Sequence, residues 1–366
     1  MAKILITGAR APIAWEWANI MKKSPHEVIL GDSFTFPVGR FVSKTRYLHL
    51  PAAIDYENYV DAILAEKFDL IIPTCEEAVH LSRAGNRFGD NVLFSHNFEF
   101  MKTAHDKLNV FSLFESDDIQ KPITSLIRSS EELPNDPILL KRSILKPRFS
   151  RFGNRTILNI TPNTLKTMLS REYVLQEKIV GDELCSYSIC SCGNVMQTMI
   201  YRPVYRLGTG ASIYFRPVYE NRIENFVREF VRNNRCHGQL AFDFMQTKSG
   251  EIYLLECNPR GTSGIHLLRN SLDTSFLFGE ENRPMKNVAI TPMCLKTMMI
   301  LLAPRLILQK GVKTCAADFM AARDVFPLRF LPYGLASLTE LIVRSIISGR
   351  SLEETSTDDI CWNGEE

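Results

Sequence analysis

Period-two alternation is strongest between Gly238 and Asn258. Leu240, Phe242 and Phe244 fall on one side of an extended run, and Ala241 and Asp243 on the other. Lys248-Ser249-Gly250 is turn chemistry, and Ile252 to Cys257 reads as the returning strand, so the stretch predicts a β-hairpin with an abrupt polar exit. Upstream, Lys3 to Thr7 reads as a buried strand, followed by a helix through Met21 and a second strand, Val28 to Asp32. Asp61 to Ala65 reads as helix, Asp69 to Pro73 as strand, Glu76 to Arg87 as helix and Val92 to Phe94 as a short strand. Alternating strands and helices of this kind predict a parallel α/β unit over residues 1 to about 100.

The pattern continues with a helix over Thr103 to Phe114, strands over Ile138 to Lys146 and Thr156 to Ile160, and a helix over Thr164 to Ser170. A strand from Tyr173 and a hairpin, Leu184 to Cys192 and Asn194 to Tyr201, follow. Glu220 to Asn233 is an amphipathic helix with Ile223, Phe226, Val227, Phe230 and Val231 on its apolar side. Beyond Asn282 come helices at roughly Met293 to Ala303, Thr314 to Ala321 and Ser337 to Ser348, then an acidic stretch with Trp362 as a possible anchor.

Composition narrows the class. A chain of 366 residues with 45% apolar and 23% charged residues has the make-up of a globular protein of two or three domains. A formal charge of +2 points to neither nucleic acid nor anionic membrane as partner. The longest apolar stretch, Met298 to Leu308, is interrupted by Pro304 and Arg305 and is too short to span a bilayer. Nine cysteines without metal spacing, and a start that runs straight into a strand, fit reduced thiols in a cytoplasmic protein. The first βα turn suggests dinucleotide binding, but Arg10 and Ile13 follow Gly8 where the fingerprint has glycines, which speaks against NAD(P).

The hairpin carries the candidate chemistry. Asp243 and Glu256 on paired strands, with the Asn258 amide just beyond, suit a hard divalent cation, and Arg260 suits negative charge developing beside it. Ordinary surface charge is the competing reading for Asp243 alone. Lys146 at a strand end, before the loop Arg148 to Arg155, suits a phosphate. Arg206 and Arg216, with Arg202, flank a glycine-containing loop and suit a substrate carboxylate or phosphate, or else form a solvated edge. His237 is a candidate base, with a structural role as the alternative.

The run Phe242-Asp243-Phe244 … Leu254-Leu255-Glu256-Cys257-Asn258-Pro259-Arg260 resembles the magnesium-binding hairpin of the ATP-grasp superfamily, which includes biotin carboxylase, carbamoyl phosphate synthetase and D-alanine–D-alanine ligase. The resemblance implies that Asp243, Glu256 and Asn258 hold Mg²⁺ (or Mn²⁺) against ATP, and that Arg260 faces a reacting acyl phosphate. It implies phosphate contacts from Lys107, in His105-Asp106-Lys107, and from Lys146, catalytic in role. Ser150 and the arginines around it stand in a loop with one glycine, Gly153, where the family has several. The strand end Gln176-Glu177, with Lys178 and Ile179, is similar to the adenine site, and Glu183 to the ribose contact.

The implied fold class is α/β and α+β. A Rossmann-like pre-ATP-grasp domain covers 1–102, an ATP-grasp domain 103–278 with its lid at about 138–178, and a helical C-terminal extension 279–366. The implied activity is ATP-dependent ligation of a carboxylate to an amine, on an amino acid or small carboxylic acid. A nucleotide-binding module without turnover and an NAD(P)-dependent oxidoreductase are the alternatives. A homodimer contact through the C-terminal region is left open, and no biotin-carrier motif supports a bicarbonate reaction.

Overall fold

Ile4, Leu5 and Ile6 are fully buried, as a central parallel strand covered on both faces requires. The computed structural model describes residues 1–41, 45–90, 92–149, 156–161, 172–207, 211–280, 291–327 and 330–364. Strands β1 (Lys3–Thr7), β2 (Glu27–Asp32), β3 (Arg46–His49) and β4 (Leu70–Ile72) form a parallel sheet in the order β3-β2-β1-β4. Val92 to Phe94, expected as a strand, adds only a single parallel bridge from Leu93 to Ile71. Helix Pro12–Met21 follows β1, started by proline in its first turn, where a missing N–H costs nothing.

The chain then makes β5 (Ile119–Gln120), β6 (Thr124–Ile127), β7 (Ser143–Pro147), β8 (Tyr173–Glu177), β9 (Gly181–Ser191), β10 (Asn194–Pro203), β11 (Arg206–Leu207) and β12 (Ala211–Ser212). After these come β13 (Tyr214–Pro217), β14 (Gly238–Thr247), β15 (Ile252–Asn258), β16 (Met293–Cys294) and β17 (Arg323–Asp324). An eight-stranded sheet has the order β17-β16-β13-β10-β9-β14-β15-β5, and β6-β8-β7 form a separate three-stranded sheet. One face of the large sheet packs Leu240, Phe242 and Phe244 against Phe226 and Phe230 of helix Asn221–Asn233. The other face turns Tyr187, Ile189 and Ala241 toward helix Pro12–Met21. The helix is joined to that face by polar contacts too: Trp17 Nε1 and Tyr187 OH both donate to Gln239 Oε1, at 2.8 and 2.7 Å.

Further expected elements differ. The helix expected over Thr103 to Phe114 instead spans Phe98–His105, because Asn97 caps it by accepting from Phe100 N and Asp106 leaves it in an extended conformation. The strand expected from Ile138 begins only at Ser143: Asp136 caps a short helix, Pro137–Lys141, with proline in its first turn. Met293, expected to open a helix, lies in β16, and helix Lys296–Leu301 starts after it. Thr156 to Ile160 contributes one bridge, Ile157 to Leu145. The helix expected over Thr164 to Ser170 falls outside the described residues.

The segment 351–364 runs back over the carboxyl ends of the parallel sheet. Asp359 accepts from Arg10 Nη1 and Nη2 at 2.6 and 2.8 Å, while Asp32 accepts from the same guanidinium at 2.5 Å. Ile54 N donates to Asp359 O, and His80 Nε2 meets Cys361 O. Trp362 is buried against Phe98 and Phe149. An open α/β sheet takes its ligand in the crevice at those strand ends. Here the chain's own Asp359 and Ile360 fill it, so the dinucleotide reading loses its crevice as well as its glycines. No helix among the described residues is long and apolar enough to cross a membrane.

Candidate active site

Alternation along β14 sends Phe242 and Phe244 into the core and leaves Asp243 on the opposite face. The register with β15 places Asp243 directly opposite Glu256 and Ala241 opposite Asn258, with an irregularity just after Asp243. On the other side, β9 sets Cys185 opposite Asp243 and Glu183 opposite Met245. Glu183, Cys185 and Asp243 offer ligand atoms that all lie within 4.8 Å of one another.

Two carboxylates facing across paired strands repel unless something stands between them. Asn258 offsets that repulsion from beside the pair: its Nδ2 lies 3.4 Å from Asp243 Oδ2 and 3.3 Å from Glu256 Oε1. Lys107 Nζ approaches Glu256 Oε2 to 4.0 Å. Burial, and then the charge of Glu256, pushes the Asp243 carboxyl up to about 8. Burial also acts to raise Glu256, but Lys107 and Lys146 outweigh it and hold that carboxyl low. The pair therefore divides into one reluctant and one firm anion.

The two lysines reach the site from separate elements. Lys107 sits in the turn between helix Phe98–His105 and the 3-10 turn Asn109–Leu113, not on a helix as expected. Its neighbour Asp106 is gripped by Arg148 at 2.5 Å, and Lys107 N donates to Arg148 O. Lys146 lies on β7 and donates to Gln176 Oε1 on β8 at 2.9 Å, while Gln176 Nε2 donates to Thr124 on β6. Burial lowers the pKa of both lysines, opposed most by the charge of Glu256. Arg260 is buried; it donates to Asn258 Oδ1 at 2.8 Å and lies 3.9 Å from Glu76.

Asp243, Glu256, Asn258, Arg260, Lys107, Lys146 and Glu183 thus lie in one connected cluster. Arg206 joins it through an ion pair with Glu183. Arg216 instead pairs with Asp318 at 2.6 Å. Gln176 spends its amide on Lys146 and Thr124, and Glu177 accepts from Ile123 N. Lys178 N donates to Arg142 O, and Lys178 and Ile179 form the passage from β8 to β9. Ser150 lies outside the described residues. His237 packs edge-on against Phe94, and burial keeps its pKa low.

Two residues at the site were not singled out by the sequence. Cys185 is one; only strand register brings it to Asp243. His105 is the other. It is buried, its Nε2 has no hydrogen-bond partner among the described residues, and burial pushes it down to about 4, neutral among Glu76, Lys107, Arg260 and Glu256. Its adjacency to Asp106-Lys107 was the available signal.

A family model described as ATP-grasp domain matches residues 104–264. Over those residues the chain is similar to an ATP-grasp domain. The match takes in both lysines, the carboxylate pair, Asn258 and Arg260. Solved structures agree in fold. The ADP complex of PurK, N5-carboxyaminoimidazole ribonucleotide synthetase, shares 17% identity over 83% of this chain and 85% of its own, with a TM-score of 0.62. The L-amino acid ligase of Bacillus licheniformis shares 17% over 78% of each chain, with a TM-score of 0.56. The biotin carboxylase domain of Hydrogenobacter thermophilus 2-oxoglutarate carboxylase, solved with MgADP and bicarbonate, shares 14% over 79% and 72%, with a TM-score of 0.62. No curated protein matches the sequence.

Proposed function

We propose that this chain is a Mg²⁺- and ATP-dependent ligase that activates a small carboxylic acid or amino acid for attack by an amine. The observation that carries the reading is the Asp243–Glu256 pair, bridged by Asn258 and approached by Lys107. Two carboxylates and an amide form a hard-oxygen donor set that fits Mg²⁺ or Mn²⁺. Asn258 donates from Nδ2 to both carboxylates and accepts from Arg260 at Oδ1, so for its oxygen to join the set the carboxamide and Arg260 would reorient together. When bound, the metal screens the triphosphate charge and aligns its oxygens.

The residues divide the remaining work. Lys107 and Lys146 take phosphate oxygens, each already held in place, one through the Asp106–Arg148 pair and the other through Gln176. Glu177, Lys178 and Ile179 border the adenine, and Glu183 the ribose. Arg206 and Arg216 are the arginines for a substrate carboxylate. A carboxylate oxygen attacks the γ-phosphorus and ADP departs, giving an acyl phosphate. The amine then displaces inorganic phosphate and loses a proton. Arg260 stabilises the charge that develops on the acyl oxygen. The proposed division is 1–102, 103–278 and 279–366, in a cytoplasmic protein. The relatives support the class: one is a synthetase with ADP, one an amino acid ligase and one a carboxylase with MgADP.

ADP and phosphate release from Mg·ATP, with pooled amino acids and small carboxylates, tests the reading against Glu256→Gln. Release that depends on the pool and is lost in the variant supports it. Nucleotide binding without turnover in any pool counts against ligation, and absence of nucleotide binding sinks the reading of the hairpin.

A further inference from the structure

Helix Leu331–Ser348 is inverted: its polar side faces the protein and its apolar side faces water. Ser337, Glu340, Arg344 and Ser345 lie on the half-buried side. Glu340 accepts from Thr35 N and Phe36 N at 2.8 and 2.7 Å, and Arg344 donates to Ser33 O at 2.9 Å. The opposite side leaves Leu335, Leu338, Ile342, Val343, Ile346 and Ile347 between 39% and 80% exposed. Amphipathic helices on a monomer place these sides the other way round.

We propose that this face pairs with the same face of a second copy, making a two-fold dimer. Three observations select that occupant. First, with Leu331 the exposed side chains of this face offer an area on the order of the ~800 Å² that each partner brings to a standard interface. Second, Glu340 and Arg344, the only charged residues of the helix, are both turned inward, so identical faces meet without like charges opposed. Third, Leu331, Leu335, Leu338 and Ile342 follow steps of four, three and four, the spacing of a helix seam that receives another helix. The polar side chain on this face, Thr339, donates to Leu335 O of its own helix. The proposal does not depend on the ligase reading, since none of the candidate site residues lies on this helix.

The test is mass by light scattering and sedimentation across roughly 1–100 μM, for wild type and for Leu338→Glu with Ile342→Glu. The expected result is twice 41.7 kDa for wild type and 41.7 kDa for the variant, with the melting temperature of the diluted wild type. If the charged variant misfolds, Leu335→Ala with Ile346→Ala is expected to weaken self-association at least tenfold while staying folded. A monomeric wild type overturns the proposal, as does a dimer that neither variant weakens. A monomer that sediments with phosphatidylcholine–phosphatidylserine vesicles overturns it in favour of a membrane surface.

Discussion

Lys146 Nζ donates to Gln176 Oε1 at 2.9 Å, and the same amide is held on its other side by Thr124. Three strands of the small sheet thus fix one ammonium group. Gln176→Leu removes a charge-assisted hydrogen bond of about 1.5–3 kcal/mol from a buried lysine. The expected result is a 10- to 100-fold rise in the Kd for Mg·ATP by calorimetry, with a smaller loss in kcat. Unchanged nucleotide affinity would show that Lys146 needs no such anchor.

Asp243 opposes Glu256, and its carboxyl is held above the ordinary range by burial and that charge. A group whose folded pKa is raised contributes stability below its unfolded pKa and loses it as pH rises through the folded value. Asp243→Asn removes the titration. The metal-free variant is expected to match wild type at acidic pH and to melt a few degrees higher by about pH 8. Calorimetric scans at a series of pH values check this, and a gap that does not widen with pH refutes it. The same variant is expected to lose Mg·ATP binding.

Mg²⁺ and ATP together are expected to raise the melting temperature of wild type by several degrees, and either alone by much less. Binding at 100 times Kd stabilises by about 2.7 kcal/mol. Lys107→Met, which removes the ammonium 4.0 Å from Glu256, is expected to shrink the joint effect. An equal shift in wild type and variant would remove Lys107 from the phosphate site.

The hairpin was legible because its alternation is local, and a period-two pattern fixes which side chains share a face. Asp243 and Glu256 could be paired from that pattern alone. The helix Pro137–Lys141 was missed although Asp136-Pro137 is a capping signal, because the apolar run from Ile138 to Leu140 reads equally as strand. What stayed hidden depends on distant register. Cys185 reaches Asp243 only because β9 pairs with β14, and Trp362 reaches Phe149 across more than half the chain. The outward apolar side of helix Leu331–Ser348 was hidden for another reason. Periodicity shows that a helix has two sides but not which one the fold covers.

Arg10 is buried between Asp32 and Asp359, with side chains 9%, 0% and 13% exposed. Asp359→Ala halves its neutralisation, while Arg10→Ala leaves two carboxylates facing each other. Breaking a buried pair costs about 3–5 kcal/mol, so Arg10→Ala is expected to reach that range and Asp359→Ala to fall below it. Urea unfolding measures both, and a cost under about 1 kcal/mol for Arg10→Ala would show the pairing to be incidental.

That same contact orders events during synthesis. Arg10 and Asp359 are separated by 349 residues. At about 5–20 residues per second, the segment that fills the crevice of the first sheet leaves the ribosome tens of seconds after the sheet itself. Until then Arg10 and Asp32 stand open to water, and the apolar slots for Ile360 and Trp362 are bare. The first sheet therefore completes its burial only once the segment 351–364 has been made, and until then those slots are uncovered.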